Sequence, residues 1–341
     1  MRVLIKNGHL VDAKTGRNGI FDIIIENGKI AEIGNDFEVT PSCDLIDASG
    51  MYVVPGLVDA HCHLRDPGFE YKEDIESGTR SAAKGGFTSI ACMPNTSPVA
   101  DNEAVIKYII NKAKQDGVVN VYPIGAITKG QKGEELAEIG ELKFAGAVAV
   151  SVDLIRSAKK RGVKVTCETC PHYFSLTEEA CKDFNTLAKV NPPLRTEKDV
   201  KAIIKGLKDD TIDIIATDHA PHHSDEKNVE FSLAANGLVG FETAVPLAIT
   251  HLVKPGFLTM EKLVEKMCVN PSEILSLNKG VLDVGRTADI TIIDINEKTK
   301  VDIKKFSSKS KNSPYHGYEL YGSVNYTIVE GNIIVREKVL L

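Results

Sequence analysis

The chain has 341 residues, which is enough for one large catalytic domain and a minor one. Hydrophobic residues make up 43% and charged residues 26%, the balance of an ordinary globular protein. The net charge of −6 gives no reason to expect nucleic acid, no apolar run reaches the roughly 18 residues of a membrane span, and the first residues do not resemble a signal peptide. We therefore expect a cytoplasmic protein that binds neither nucleic acid nor a membrane.

Strong β signals occupy both ends of the chain. Residues 2–8 and 22–30 are apolar runs that contain Asn-Gly, a pair typical of hairpin turns. Residues 288–294 predict a further strand, and residues 326–335 predict a further hairpin. We expect residues 1–50 and 285–341 to form one small β-sandwich domain that both termini build.

Strands and helices alternate between these two ends. The apolar patterns predict strands at 51–58, 87–92, 119–125, 145–150, 163–166 and 212–217, and helices at 72–84, 102–115, 152–161 and 197–207. This order is typical of a parallel sheet covered by helices, either doubly wound or an eight-stranded barrel. We assign residues 51–284 to this second domain.

Seven cysteines are scattered along the chain, an odd number that argues against a disulfide framework. Cys167 and Cys170 form a Cys-x-x-Cys pair, but no second pair completes a zinc site. We therefore expect these two to be buried small residues rather than a redox or zinc motif.

A His-x-His-x-Arg sequence ends the first apolar strand of the middle region. Side chains alternate along a strand, so His61, His63 and Arg65 point to the same face. Two imidazoles with this spacing hold one divalent metal, and the arginine next to them holds an anion. A single histidine in a strand is more often an ordinary core or surface residue, but the three residues together favour a metal site.

Asp218 is the strongest candidate elsewhere in the chain, because it follows the apolar run 212–217. A carboxylate there could bind the metal or its water and carry a proton. Its alternative role is a helix cap or a buried ion pair. His222 could donate to a substrate oxygen, whereas His219 and His223 could equally support the site from behind or face solvent.

Polar residues also follow other predicted strands. Asn95 follows the strand at 87–92, Asn191 follows the loop after 163–166, and Gly237 lies in the long loop beyond Asp218. Asparagine in a loop usually serves turn formation, so Asn95 and Asn191 gain meaning only as amide groups aimed at a polar ring.

Five segments together resemble the dihydroorotase branch of the amidohydrolase superfamily. They are 54–68, which contains His-Cys-His-Leu-Arg-Asp-Pro-Gly, together with 93–96, 122–128, 191–195 and 216–222. The resemblance covers nearly the whole chain and implies a (β/α)₈ barrel. It also implies a metal-dependent, reversible ring closure of N-carbamoyl-aspartate to dihydroorotate.

The resemblance assigns roles to the candidate residues. It makes His61 and His63 ligands of one metal and Asp218 a further ligand that is also the general base. It makes five residues substrate-binding: Arg65, Asn95, Asn191, His222 and Gly237. The expected cofactor is zinc, one or two ions per chain, since imidazole and carboxylate ligands suit zinc among other divalent ions.

The chain is too short for the barrel that this resemblance implies. An eight-unit barrel places about 210 residues between its first and last strands, whereas 157 residues separate His61 from Asp218. Residues 145–150 resemble the family's fourth strand, and 151–162 resemble the helix after its sixth. About two units, with the two histidines that bind the family's second metal, therefore have no counterpart.

Asp153 would be a bridging metal ligand if its segment ended the fourth strand, although we prefer a helix there. A barrel that lacks two neighbouring strands exposes unpaired edges. We therefore predict that the physical protein has further residues between 150 and 151, rather than being a shortened homologue.

Two rival functions stay open at this point. An allantoinase or hydantoinase would share the metal scaffold. A non-catalytic homologue would serve as a structural subunit, alongside aspartate transcarbamoylase. A homodimer is also compatible with the family resemblance.

Overall fold

The computed structural model describes residues 2–138 and 166–341. Its strands, in chain order, are β1 (Arg2–Asp12), β2 (Arg17–Glu26), β3 (Lys29–Gly34), β4 (Cys43–Asp47), β5 (Tyr52–Pro55), β6 (Leu57–Cys62), β7 (Phe87–Cys92), β8 (Asn120–Pro123), β9 (Glu168–Thr169), β10 (Ile214–Ile215), β11 (Ile290–Lys300), β12 (Glu319–Val329), β13 (Asn332–Arg336) and β14 (Val339–Leu340).

The α-helices of the described residues are α1 (Ile75–Lys84), α2 (Glu103–Asp116), α3 (Pro171–Ser175), α4 (Glu197–Lys208), α5 (Ser224–Lys227), α6 (Phe241–Ala248), α7 (Met260–Val264) and α8 (Asn270–Ile274). Two π-helical turns, Ile249–Val253 and Glu265–Val269, follow α6 and α7. Within the two described ranges, every helix is too short or too polar to cross a membrane.

The two ends of the chain form one connected sheet. Its order is β14-β13-β12-β11-β5-β1-β2-β3, and β4 also pairs with β1. One apolar core draws residues from β1 to β5 and from β11 to β13, and its members include Val3, Ile25, Val53, Ile292 and Ile328. Strands from both ends of the chain therefore share one sheet.

Strand β5 belongs to this terminal sheet, because it pairs with β1 and β11. The chain enters the second domain at Gly56, where a Cβ would lie 2.2 Å from Thr88 Oγ1. We therefore propose that the domain boundary lies at Gly56 rather than at residue 51, since the unbroken apolar run conceals the change of sheet.

One predicted turn is wrong and another is confirmed. Asn27-Gly28 joins β2 and β3 as a tight turn. Asn7-Gly8 instead lies inside β1, where the register with β2 shifts between Ile5 and Gly8 and Asn7 has φ +58°. The glycine is needed there because a Cβ at Gly8 would come within 2.3 Å of Val53 Cγ2. The pair forms a β-bulge, not a hairpin.

Parallel strands build the described part of the second domain. Strands β6, β7 and β8 pair in that order, and β10 pairs with β9. The Asp218 N–H donates to the carbonyl of His61 at 2.9 Å, and Cys62 bridges to His219 in parallel. These contacts join the two groups in the order β9-β10-β6-β7-β8, so residues that follow the five strands meet at one end.

Most predicted elements of this domain are confirmed with small changes at their ends. Strand β7 has the predicted bounds, whereas α1 and α2 begin later than predicted because Asp74 and Asn102 cap them. The strand predicted at 212–217 is only Ile214–Ile215. The strand predicted at 145–150, the helix at 152–161 and most of the strand at 163–166 lie outside the described residues.

Candidate metal centre

Two imidazoles and one carboxylate converge at the carboxyl ends of β6 and β10. His63 Nε2 lies 3.1 Å from Asp218 Oδ1, and His61 Nε2 lies 3.6 Å from the same oxygen. One ligand atom from each of the three residues lies within 4.8 Å of the other two. The spacing of the sequence motif thus becomes a compact set of three atoms that could hold one metal ion.

The far side of each imidazole is held by a partner. His63 Nδ1 donates to Asn95 Oδ1 at 2.8 Å, and His61 Nδ1 pairs with Glu168 Oε1. Metal-binding histidines are typically oriented in this way, with one ring nitrogen bound to a carboxylate or carbonyl and the other free for the metal. A neutral His63 that donates from Nδ1 presents a lone pair at Nε2 to an anionic carboxylate, so a cation between them resolves the repulsion.

Hydrogen bonds to buried Asp59 hold the backbone just before Asp218. Asp218 has φ +46°, and its preceding residue, Thr217, donates from its N–H and hydroxyl to Asp59 at 2.8 and 2.6 Å. Asp59 is fully buried, and burial raises its pKa to about 7. This network aims the Asp218 carboxylate toward the two histidines.

The electrostatics of the cluster favour a positive charge. Burial opposes ionisation of Asp218, yet the neighbouring imidazoles of His63 and His61 hold its pKa below the usual range. Burial would lower the pKa of His61, but Glu168 and Asp218 raise it to about 9. Two carboxylates therefore stabilise a cation beside His61, whether a proton or a metal ion.

Arg65 and His222 form the second part of the site. Arg65 is 8% exposed, and its Nη2 lies 3.3 Å from His222 Nε2 while its Nε donates to the carbonyl of Pro221 at 3.2 Å. Burial, reinforced by the charges of Arg65 and Lys72, lowers the pKa of His222 to about 4. A permanent cation and a neutral imidazole thus lie side by side.

Gly237 lies against this pair, where only glycine fits. Its φ is +133°, and a Cβ would lie 2.6 Å from the Cβ of Ala220 and 3.3 Å from His222 Nε2. Its carbonyl accepts hydrogen bonds from Lys227 Nζ at 3.0 Å and Asn312 Nδ2 at 3.1 Å. The loop around Gly237 is therefore held closely against His222.

Some predicted residues do not join the cluster. Asn191 is exposed and precedes a cis peptide bond to Pro192, and Asp153 lies outside the described residues. His219 is fully buried, where its ring stacks on Phe241 and lies 3.4 Å from Glu73 Oε2. His223 instead accepts from a backbone N–H of α5 as its cap. Of the two Cys-x-x-Cys residues, Cys170 is buried and Cys167 is half-buried.

Two sequence profiles match the chain. One of the dihydro-orotase-like family matches residues 50–169, and one of the amidohydrolase family matches residues 149–334. A dihydroorotase of Acetivibrio thermocellus is 61% identical over 427 positions, which cover 99% of this chain and 100% of that protein. A dihydroorotase of Ruminiclostridium cellulolyticum is 55% identical over 429 positions, which cover all of both chains. The chain belongs to the dihydroorotase family.

Solved structures place this dihydroorotase family member in the amidohydrolase fold. An L-hydantoinase from Arthrobacter aurescens matches with a TM-score of 0.88 at 26% identity, over 99% of this chain and 97% of its own. A dihydropyrimidinase from Brevibacillus agri matches with a TM-score of 0.86 at 20% identity, over 100% and 96% of the two chains. The predicted barrel class is thereby confirmed.

The lengths of these alignments support the prediction that residues are absent from the middle of this chain. The 427 aligned positions exceed the 341 residues of the chain, so at least 86 positions of the Acetivibrio protein have no partner here. The two family profiles overlap at residues 149–169, around the junction predicted at 150–151. That junction lies outside the described residues.

Several residues of the site were missed by reasoning from the sequence. Asp59 precedes His61 by two positions, so strand alternation alone could have identified it. Glu168 and His172 flank Cys170, in a segment where only the two cysteines had drawn attention. Lys227 gave no signal, because a lone lysine on a polar helix is ordinarily exposed.

Proposed function

We propose that this chain is a dihydroorotase, catalysing the reversible, metal-dependent cyclisation of N-carbamoyl-L-aspartate to dihydroorotate in pyrimidine biosynthesis. The observation that carries the proposal is the convergence of His61 Nε2 and His63 Nε2 on Asp218 Oδ1. Identity of 61% to a dihydroorotase across both chains supports the choice of reaction.

The three converging ligands fit a divalent cation. Two imidazoles held by partners at their far nitrogens, together with one carboxylate, match the three protein ligands of a catalytic zinc site. Zinc is our choice because this nitrogen and oxygen donor set suits it. When bound, such an ion supplies Lewis acidity toward a carbonyl and lowers the pKa of water.

Asp218 is the residue that moves the proton. In the hydrolytic direction water attacks the ring amide carbonyl, Asp218 accepts a proton from that water, and it then delivers the proton to the leaving nitrogen. Its lowered pKa leaves the carboxylate ionised at neutral pH, so it is ready to accept. In the direction of ring closure the same group performs these transfers in reverse.

Arg65 supplies the charge that the substrate carboxylate needs. Its guanidinium is buried beside His222, which strengthens a charge-assisted hydrogen bond to an anion. We propose that His222 and the backbone at Gly237 contact the ring, and that Asn95 and Asn191 bind substrate as the family resemblance implies. Asn95 has the additional task of orienting His63.

A cleft of about 610 Å³ opens next to His222. Residues that line it include His222, Lys227, Asn312 and Tyr71. Its volume lies in the range typical of small-molecule sites. The cleft reaches the site only through His222, since neither Arg65 nor the three candidate metal ligands line it.

The decisive experiment assays dihydroorotate hydrolysis by the purified full chain, with and without a chelator, alongside zinc analysis. We expect chelator-sensitive turnover that a His61→Ala/His63→Ala double variant abolishes. A chain that binds zinc but hydrolyses dihydroorotate no faster than this double variant would establish the non-catalytic subunit instead.

We propose a cytoplasmic location and two assemblies for this chain. An odd number of cysteines, seven, scattered along the chain suits a reducing compartment, which supports the cytoplasm. From the family resemblance we also propose a homodimer and an association with aspartate transcarbamoylase. Light scattering of the chain, alone and mixed with that enzyme, tests both assemblies.

A further inference from the structure

The connection between β11 and β12, residues 301–318, leaves the terminal sheet and reaches the loops of the second domain. Its Ser310 hydroxyl donates to the carbonyl of Lys72 at 2.6 Å, and its Tyr315 hydroxyl pairs with the hydroxyl of Ser175 at 2.7 Å. Ser310 and Tyr315 are both buried. The sequence pattern placed these residues in the small β domain, yet their side chains bind the domain that carries the candidate site.

Asn312 is the residue of this connection that lies against His222 and Gly237. It is 4% exposed, and its Oδ1 accepts from the His222 N–H at 3.0 Å. Its Nδ2 donates to the carbonyl of Ala220 at 3.0 Å and to that of Gly237 at 3.1 Å. Its own carbonyl accepts from the Val239 N–H at 3.0 Å. One buried residue therefore joins the loop that carries His222 to the loop that carries Gly237.

The three side-chain hydrogen bonds match the chemistry of asparagine. A primary amide has two N–H donors and one carbonyl acceptor on a short stem, and here one N–H faces the oxygen while two carbonyls face the nitrogen. Aspartate lacks both donors, and serine has only one. Leucine has the same branched shape without any polar atom. The site thus uses every property that distinguishes asparagine from these three residues.

The other hydrogen bonds around Gly237 do not replace this link. Lys227 Nζ also donates to the Gly237 carbonyl, but its other hydrogen bonds go to the carbonyls of Lys189 and Ala235. The separation of the two loops matters because a Cβ at Gly237 would lie only 3.3 Å from His222 Nε2. A shift of about 1 Å between groups that bind a substrate can cost about 10²-fold in rate.

We infer that Asn312 is a positioning residue, which fixes His222 and Gly237 relative to each other and thereby shapes the part of the site that receives the substrate ring. The inference rests on the proposed function only in naming the ring as the group that these two residues contact. Asn312 acts through its neighbours and does not touch the reacting atoms.

Hydrogen exchange tests the positioning role without any substrate. Asn312→Leu keeps the branched shape of the side chain and removes its three hydrogen bonds. In the full chain we expect peptides that cover residues 220–223 and 237–239 to exchange about tenfold faster, because the His222 N–H loses its acceptor and the two loops lose their link. Exchange in β1 and β2 is expected to stay at the wild-type rate.

Steady-state kinetics with dihydroorotate give the second readout. The proposed base and metal ligands are unchanged in Asn312→Leu, so we expect KM to rise about tenfold while kcat stays within about threefold and zinc content is unchanged. A general loss of structure would instead remove active molecules, which lowers kcat at constant KM. In a His222→Ala background the same substitution should raise KM by less than about threefold, because the imidazole that it positions is absent.

Asn270→Leu is the matched control. Asn270 is half-buried, and its Nδ2 donates to the carbonyl of Asp213 at 2.8 Å, just before β10 and at the opposite end of that strand from Asp218. This variant is expected to keep the wild-type KM and the wild-type exchange in both loops. If circular dichroism shows that Asn312→Leu is unfolded, Asn312→Ser takes its place and is expected to change exchange and KM in the same direction.

Wild-type exchange in both loops of Asn312→Leu, or a wild-type KM of this variant in an active chain, overturns the positioning role. An equal rise of KM in Asn270→Leu, or a rise that His222→Ala does not diminish, also overturns it. A wild-type chain that does not hydrolyse dihydroorotate contradicts the proposed function instead, and the exchange measurement then decides the role of Asn312.

Discussion

His63 Nε2 and Asp218 Oδ1 lie 3.1 Å apart although 155 positions separate the two residues in the sequence. The contact exists because the chain after β10 is joined to β6, through the Asp218 N–H and the carbonyl of His61. Neither residue identifies a metal centre alone. Together they bring the predicted His-x-His motif at the end of β6 next to the predicted carboxylate of Asp218 after β10.

Asp218→Asn tests the role of this carboxylate in proton transfer. The amide keeps the size of the side chain but cannot accept and return a proton, so we expect kcat to fall about 10²–10⁴-fold. Stopped assays of dihydroorotate hydrolysis give kcat, and zinc analysis of the same sample shows whether metal is retained. A variant with zinc bound and kcat within threefold of wild type, about 0.7 kcal/mol in barrier, would exclude Asp218 as the base.

Asn95→Ala tests the orientation of His63. Without the acceptor at Nδ1 the imidazole loses its fixed direction, and we expect the affinity for zinc to fall about 10–100-fold. Competition with a chromophoric chelator measures that affinity. Asn191→Ala is the matched control, because Asn191 is exposed and is expected to affect KM alone. Equal zinc affinity in Asn95→Ala and wild type would contradict the assigned role.

Arg65→Gln separates a dihydroorotase from a hydantoinase. Loss of a charged hydrogen bond costs about 1.5–3 kcal/mol, so kcat/KM for dihydroorotate should fall about 10–150-fold while zinc stays bound. Turnover of hydantoin, which has no carboxylate, should change little. Arg80→Gln on the outer face of α1, where Arg80 pairs with Glu76, serves as the control. Equal losses on both substrates would argue against carboxylate recognition.

The buried side chain of Lys227 should make the free energy of unfolding depend on pH. Its Nζ donates to the carbonyls of Ala235 and Gly237 at 2.8 and 3.0 Å, and burial lowers its pKa to about 8 from 10.5. The unfolded chain therefore binds more protons between these two values, so this residue makes the folded state gain stability as pH rises from about 8 to 10.5. Below pH 8 the cost of burying the charge is fully present.

Urea unfolding at several pH values measures this effect, with Lys227→Met as the variant. We expect the variant to lose that alkaline gain and to be less stable at pH 8, because the Ala235 carbonyl loses its lysine donor and the Gly237 carbonyl keeps only Asn312. Lys304→Met, at an exposed lysine, is the control. Parallel pH profiles in the wild type and Lys227→Met would refute the assignment.

Intact-mass spectrometry tests the predicted internal gap. At least 86 positions of a dihydroorotase that is 61% identical lack a partner in this chain, so we expect the physical protein to exceed 37.0 kDa. Peptide mapping should place the additional residues between 150 and 151. A measured mass of 37.0 kDa would show that the chain is a shortened homologue.

Local pattern predicted some elements well and others poorly. Strand β7 is buried along its whole length, and its β-rich composition together with Gly85 and Gly86 before it and Pro94 after it marked its ends. The run at 212–217 has the same composition, yet only two of its residues pair, because Thr217 and Asp218 leave the strand to bind Asp59 and His61. The strand therefore ends early because of hydrogen bonds to residues far away in the sequence, which the local pattern of residues cannot predict.

Strand alternation and motif spacing predicted that His61, His63 and Arg65 share a face and that Asp218 belongs to the same chemistry, although β6 ends at Cys62 and Arg65 has φ +63°. Only the tertiary structure decided which ring nitrogens face the carboxylate, that Glu168 and Asn95 hold the other nitrogens, and that His172 lies beside Asp218. The physical reason is that periodicity determines the direction of a side chain along its own strand. Its partners come from strands that are neighbours only once the parallel sheet has formed.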